Sequence, residues 1–194
     1  MQRTWLILAM VTVFNVATAL FWIGVAAQTP LPKPSVPLVI SKADIDYMLS
    51  VNKEDTSLGS IDAGEHVVDV WLDQRNANPK GEARGQAHSE LTEIYVVQKG
   101  NATLKAGGTM TTQTYAEALP KRVSPGGAMF VTPTFTGPAD GGRTWEIGPG
   151  DIVVIPPGSV HQWHLIPQEM RYIILRIDPE HRQKAGFVQS LMKR

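Results

Sequence analysis

The chain has 194 residues, 18 basic and 18 acidic side chains, and no cysteine. That length allows one domain with appendages, and a formal net charge of zero offers no global field to nucleic acid or to an anionic membrane. Without cysteine there are no disulfides, no thiolate metal ligands, no cysteine nucleophile and no lipidated N-terminal cysteine.

The N-terminus has the pattern of a targeting segment. Arg3 is followed by no charged residue until Lys33, and residues 5–25 are apolar except for Thr12, Asn15 and Thr18. Val25-Ala26-Ala27 then offers the small residues that a signal peptidase cuts after. Residues 1–27 therefore read as a signal peptide or, uncleaved, as a membrane anchor through residues 5–25, since that run is long enough to cross a bilayer. Cleavage is the favoured reading. Arg3 keeps the N-terminus cytoplasmic in both cases, so the folded domain is expected in the periplasm or secreted.

Residues 28–40 form a proline-rich extended linker. An N-terminal extension over 41–58 follows. In it Ser41 and Asp44 have the spacing of a helix cap, and Ile45, Met48 and Leu49 make an apolar stripe, which predicts a short helix over 41–51 packed on the outside of the main domain. From His66 the hydrophobic period changes to two. Strands are expected at 67–72, 83–88, 93–98 and 102–105, with a tight hairpin turn at Gly100-Asn101. Residues 107–142, rich in Gly, Thr and Pro, read as a long insertion, either a lid or a surface hairpin. Strands resume at 143–147, 151–155, 162–166 and 170–177, and residues 179–194 are expected to hold a C-terminal helix with Phe187, Leu191 and either Val188 or Met192 along one face. Short strands at regular spacing with Gly/Pro turns indicate an all-β sandwich or barrel, here one barrel over 59–178.

Residues two apart on a strand share a face. Arg84, Gln86 and His88 therefore project together, as do Glu93 and Tyr95 on the next strand and His161 and Trp163 on a later one. If these faces line a barrel interior, two imidazoles, a carboxylate and a carboxamide can converge. Two histidines and one carboxylate leave coordination positions open, which suits Fe(II), Mn(II) or catalytic Zn(II).

Two stretches resemble the paired motifs of the cupin superfamily, here in a single-domain, exported form. In the first, Glu93 and Gly100 stand six residues apart and His88 falls on the second histidine position, while Gln86 stands where the first histidine is expected and Lys80 at the leading glycine. In the second, Gly150, Pro156, Gly158 and His161 fit without adjustment, and Leu165 replaces the terminal asparagine. The resemblance implies an all-β, jelly-roll-like barrel with short flanking helices. It also implies a divalent metal held by His88, Glu93 and His161, with Gln86 as a weak fourth ligand through its amide oxygen. Glu93 has an alternative reading, a salt bridge to Arg84, and Glu90 is an alternative carboxylate in an exposed turn.

The partners expected are a small molecule oriented by Arg84, Tyr95 and Trp163, no nucleic acid, and a second copy in a homodimer. Three functions remain open. One is a metal-dependent enzyme of oxygenase, isomerase or hydrolase type; the second is a metal-free cupin that binds a sugar or carboxylate, to which the loss of the first histidine points; the third is a structural envelope protein.

Overall fold

The structure, a computed structural model, describes residues 36–51, 55–81, 84–111, 114–116, 133–183 and 185–192. The leader and most of the linker lie outside this set, as do residues 117–132 of the expected insertion.

The helix α1 (Lys42–Val51) forms where the sequence predicts it. Its first turn is closed reciprocally: the Asp44 amide donates to Ser41 Oγ at 3.1 Å, and the Ser41 amide donates to Asp44 Oδ2 at 3.0 Å. Twelve strands follow among the described residues. They are β1 (Thr56–Asp62), β2 (Val67–Arg75), β3 (Arg84–His88), β4 (Thr92–Lys99), β5 (Ala102–Ala106), β6 (Thr109–Met110), β7 (Thr114–Ala116), β8 (Thr134–Asp140), β9 (Arg143–Ile147), β10 (Ile152–Ile155), β11 (His161–Leu165) and β12 (Met170–Asp178). They build two antiparallel sheets. One has the order β1-β2-β12-β4-β10; the other runs β6-β8-β3-β11-β5-β9, with β7 also paired to β8.

The core lies between the sheets. Trp71, Tyr95, Val97, Leu104, Trp163, Tyr172 and Ile174 belong to one buried cluster. On β12 the alternate residues Met170, Tyr172, Ile174, Arg176 and Asp178 are all buried, which marks the inward face. Neighbouring residues on these strands point the other way, and α1 covers that outer side of the first sheet. There Met48 packs with Leu58, Leu72 and Met192, joined by Ile173 and Val188.

The register decides what meets in the interior. Ile174 stands between Trp71 and Tyr95, and two residues along Arg176 stands between Asp69 and Glu93. Two glycines hold turns on which this register depends. Gly100 has φ +78°, and a Cβ there would lie 2.4 Å from the Glu169 carbonyl oxygen, so the β4–β5 hairpin admits no side chain. Gly158 has φ +75°, and its amide donates to the His88 carbonyl at 2.7 Å, which ties the turn before β11 to the end of β3.

Three expectations are corrected. Among the described residues of 179–192 there is no helix. Asp178 accepts from the amides of Glu180 (3.1 Å) and Gln183 (2.7 Å) as a turn, and Gly186 takes φ +84°. The tail then runs beside β1: the Ser60 amide donates to Phe187 O, the Gly186 amide to Ser60 O and the Gln189 amide to Leu58 O. Backbone pairing to an otherwise open sheet edge satisfies these groups in place of a helix. Residues 134–140, assigned to the insertion, are β8 and pair with β3 along its length. The N-terminal extension ends early, because β1 begins at Thr56; its polar composition, TSLGSID, hides a strand whose first five residues are all buried.

Candidate metal centre

His88 closes β3, Glu93 lies near the start of β4 and His161 opens β11. All three are buried, and one ligand atom from each lies within 4.8 Å of the others. Among the described residues this is the one group of three such side chains. His88 Nε2 is 3.5 Å from Glu93 Oε1, and His161 Nε2 is 3.5 Å from Glu93 Oε2.

Each imidazole is oriented through its other nitrogen. His161 Nδ1 is 3.0 Å from the Ser159 carbonyl oxygen. A carbonyl only accepts, so Nδ1 carries the proton and Nε2 presents its lone pair to the site. His88 Nδ1 is 3.0 Å from Thr134 Oγ1, a contact in which the hydroxyl serves as acceptor when Nε2 is the lone-pair nitrogen. Such outer partners fix the tautomer of metal-binding histidines.

Gln86 and Tyr95 complete the polar surface. Gln86 Nε2 is 3.1 Å from His161 Nε2 and donates to its lone pair. The amide therefore faces the site with its nitrogen, and ligation through oxygen requires it to turn over. The Tyr95 hydroxyl donates to Glu93 Oε2 at 2.7 Å and lies 3.2 Å from His161 Nε2.

The sequence reading missed Arg176. Its Nε donates to Glu93 Oε1 at 2.9 Å and its guanidinium lies 4.8 Å from the centre of the Trp71 ring. Glu93 is thus ion-paired inside the barrel, but with Arg176 and not with Arg84. The signal that could have found it was a charged residue in the buried phase of an otherwise apolar strand.

Burial alone would raise the Glu93 pKa, but Arg176 and the two imidazoles outweigh it and hold the carboxyl down at about 2. Burial is the main cause that depresses His88 to about 4; Glu93 opposes it, and Arg176 and His161 add to it. Both groups are therefore in ligand form near neutral pH. Burial, then the Glu93 charge, pushes the Tyr95 phenol well above its ordinary value, so it stays a donor.

Two expected substrate contacts are not at the centre. Arg84 is exposed and donates to Thr136 O at 3.3 Å. It begins its strand four residues before His88, which carries it out of the interior. Trp163 is buried under Tyr95, with ring centres 5.8 Å apart, and its indole donates to Tyr172 Oη at 3.2 Å, so it is barrel packing. Glu90 pairs with Arg182 at the surface, and His164 is exposed.

The donor set fits a divalent transition ion. Two lone-pair nitrogens and one ionised carboxylate converge with their orienting partners in place, and the carboxylate keeps lone pairs beyond those used by Arg176 and Tyr95.

Residues 139–187 match the model of the AraC-like ligand binding domain. That segment runs from the end of β8 through β12 and includes His161 and Arg176. No curated protein matches the chain. Among solved structures, a Bacillus halodurans protein is 14% identical, with 80% of this chain and 92% of that one covered and a TM-score of 0.43. A Klebsiella pneumoniae protein with a double-stranded β-helix domain is 18% identical, with 82% and 100% covered and a TM-score of 0.38. A cupin protein from Bacteroides fragilis is 12% identical, with 66% and 78% covered and a TM-score of 0.35. The two-sheet antiparallel barrel defines the class as an all-β, jelly-roll-like fold, and over residues 139–187 the chain is similar to the AraC-like ligand binding domain.

Proposed function

We propose that this protein binds a divalent transition metal, Fe, Mn or Zn, in its barrel and acts there on a small molecule, by oxygenation, isomerisation or hydrolysis. The observation that carries the reading is the convergence of His88 Nε2, His161 Nε2 and the Glu93 carboxylate within 4.8 Å, with the far nitrogens of both imidazoles held.

His88, Glu93 and His161 would hold the ion, which supplies Lewis acidity and a template for substrate. Arg176 keeps Glu93 ionised and aimed. Tyr95 holds a hydroxyl proton beside the Glu93 carboxylate, and Gln86 offers amide hydrogens at the same point. The buried aromatic floor of Trp163 and Tyr172 closes the interior to water beneath Tyr95.

Metal content of protein purified without an affinity tag tests this. Near-stoichiometric metal, lost in His161→Ala, is expected. Protein that takes up none after anaerobic exposure to Fe(II), Mn(II) and Zn(II) would defeat the reading. That result would favour a metal-free binding module, which Gln86 in place of a histidine supports.

The leader supports an extracytoplasmic location, periplasmic or secreted, anchored through residues 5–25 if uncleaved. A cytoplasmic fraction carrying an intact N-terminus would contradict it. A homodimer is supported by the edge strands β9 and β10, where Trp145, Ile152 and Val154 are 46%, 64% and 60% exposed. Sedimentation as a monomer at high concentration would exclude it.

A further inference from the structure

β10 ends the first sheet and β9 ends the second, and a cleft of about 460 Å³ opens between these two edges. Leu104, Ala106, Trp145 and Ile147 wall it on one side, Val153 and Ile155 on the other. Register puts Trp145 on the inner face, because it stands opposite Leu104, which is 2% exposed. Trp145 is nevertheless 46% exposed, so the facing wall leaves much of its ring uncovered. Both walls adjoin the candidate metal centre. Ala106 is the cross-strand partner of His161, and Ile155 is the cross-strand partner of Glu93. Such partners hold their Cβ atoms about 5 Å apart. Ser159, whose carbonyl holds His161 Nδ1, lines the same cleft. At the junction Ala106 contributes only a methyl group, which keeps the passage narrow on one side alone. The polar lining is mostly engaged within the chain. Asp151 accepts from the Gly148 amide at 2.8 Å, and Glu146 accepts from the Thr103 hydroxyl at 2.7 Å. Ser159 is the one hydroxyl among the described lining residues. A sugar or polyol placed here would lose its water without gaining partners, whereas an apolar body gains by leaving water. The volume lies within the range of about 300–1,000 Å³ usual for small-molecule sites.

We infer that the β9–β10 cleft is the subsite for the apolar body of the small molecule, an aryl or branched alkyl group packed on Trp145, with its polar end directed past Ala106 to the centre. This rests on the reading that the His88, Glu93 and His161 centre acts on a small molecule, and it narrows the substrate class from sugars and polyols to compounds with an apolar body. Ala106 sets the preference through its size, since a larger side chain there closes the passage between cleft and centre.

Two readouts separate the cleft from the metal. The first is the indole N–H resonance of Trp145 in the full chain, assigned through Trp145→Phe. Benzyl alcohol should shift it at concentrations about tenfold or more below any effect of glucose. A signal that neither compound moves, or that glucose moves as readily, overturns the inference. So does a signal that moves with protein concentration alone, because a second copy then covers the cleft. The second readout is the visible ligand-field spectrum of the Co(II)-loaded chain, titrated with imidazole and with 4-phenylimidazole, which adds an aryl body to the same coordinating head. The phenyl compound should bind about tenfold or more tightly. Ala106→Leu should remove that advantage and leave imidazole itself within about twofold. Trp145→Ala, at a half-exposed position, should reduce the advantage as well and serves if the Leu variant does not fold. Equal affinity of the two imidazoles in the wild type, or variants that weaken both alike, overturns the inference and leaves the metal reading standing. Failure to bind cobalt overturns the metal reading, and the Trp145 resonance still decides the cleft.

Discussion

Thr134 lies outside both motifs, yet its hydroxyl is the partner of His88 Nδ1 at 3.0 Å. Outer partners of metal-bound histidines typically matter 10–100-fold in affinity. Thr134→Val, which keeps shape and removes the hydroxyl, should therefore weaken metal binding by about that factor with little change in the fold, measured by competition against a chromophoric chelator. His88 also ties folding to pH. Its pKa falls from 6.5 in the open chain to about 4 when folded, so the folded state resists the proton. The stability it contributes is complete above pH 6.5 and is lost as pH falls towards 4, by up to ~3 kcal/mol at 1.36 kcal/mol per unit. Glu93, lowered from 4.5 to about 2, continues the loss below pH 4.5. Asp73, raised to about 6 chiefly by burial, has the opposite sign, with a contribution present below pH 3.8 and lost as pH rises through 6. Comparing denaturant midpoints of wild type and His88→Gln across pH 4–7 isolates the His88 part; parallel curves would show that His88 is not the proton-linked group.

At the scale of elements, the tail and α1 do related work on the first sheet. The tail pairs with the edge of β1 through Ser60, Leu58 and Gly59, while Met48 of α1 packs with Leu58, Leu72 and Met192. Met48 is 0% exposed, so Met48→Ala should cost ~2–5 kcal/mol, read as a shift in urea midpoint at unchanged slope. Ending the chain at Ala185 uncovers the β1 edge, and such edges pair with other chains. That truncation should raise the fraction of dimers and larger species in light scattering, whereas a monodisperse product would show that the tail is not the edge cover. These elements also mark where the sequence was hard to read. The stripe of Ile45, Met48 and Leu49 announced α1, because an amphipathic helix carries its period locally. The apolar residues Phe187, Val188, Leu191 and Met192 invited a second helix, but pairing to β1, a partner more than a hundred residues away, took their backbone instead. β1 was missed because a strand with Thr, Ser, Gly and Asp has no apolar alternation; its burial comes from the tail and α1, and neither contact is written in the strand.

For the whole molecule, the proposed metal would be linked to the fold. An ion that binds only the folded chain stabilises it by RT ln(1 + [L]/Kd), about 2.7 kcal/mol at a hundredfold excess over Kd. Removal of metal by a chelator should thus lower the thermal midpoint by several degrees, and His161→Ala should have the low midpoint with or without chelator. The cluster of three candidate ligands was legible in the sequence. His88, Glu93 and His161 sit at the ends of strands whose two-residue period and Gly/Pro turns assign them to one face, and turn chemistry is local. The partners of those ligands were not legible. Arg176 meets Glu93 because β12 lies between β2 and β4, and Thr134 meets His88 because β8 pairs with β3. Arg84 and Trp163, read as ligand contacts from strand phase alone, were placed elsewhere by the same pairing, one at the exposed end of β3 and the other beneath Tyr95. Sequence determined by itself the barrel class and the three candidate ligands, since period, turns and motif spacing are properties of short segments. Only the tertiary structure decided which charge faces Glu93, which hydroxyl and carbonyl orient the imidazoles, and that the tail covers a sheet edge, because strand order and register join residues that the chain keeps far apart.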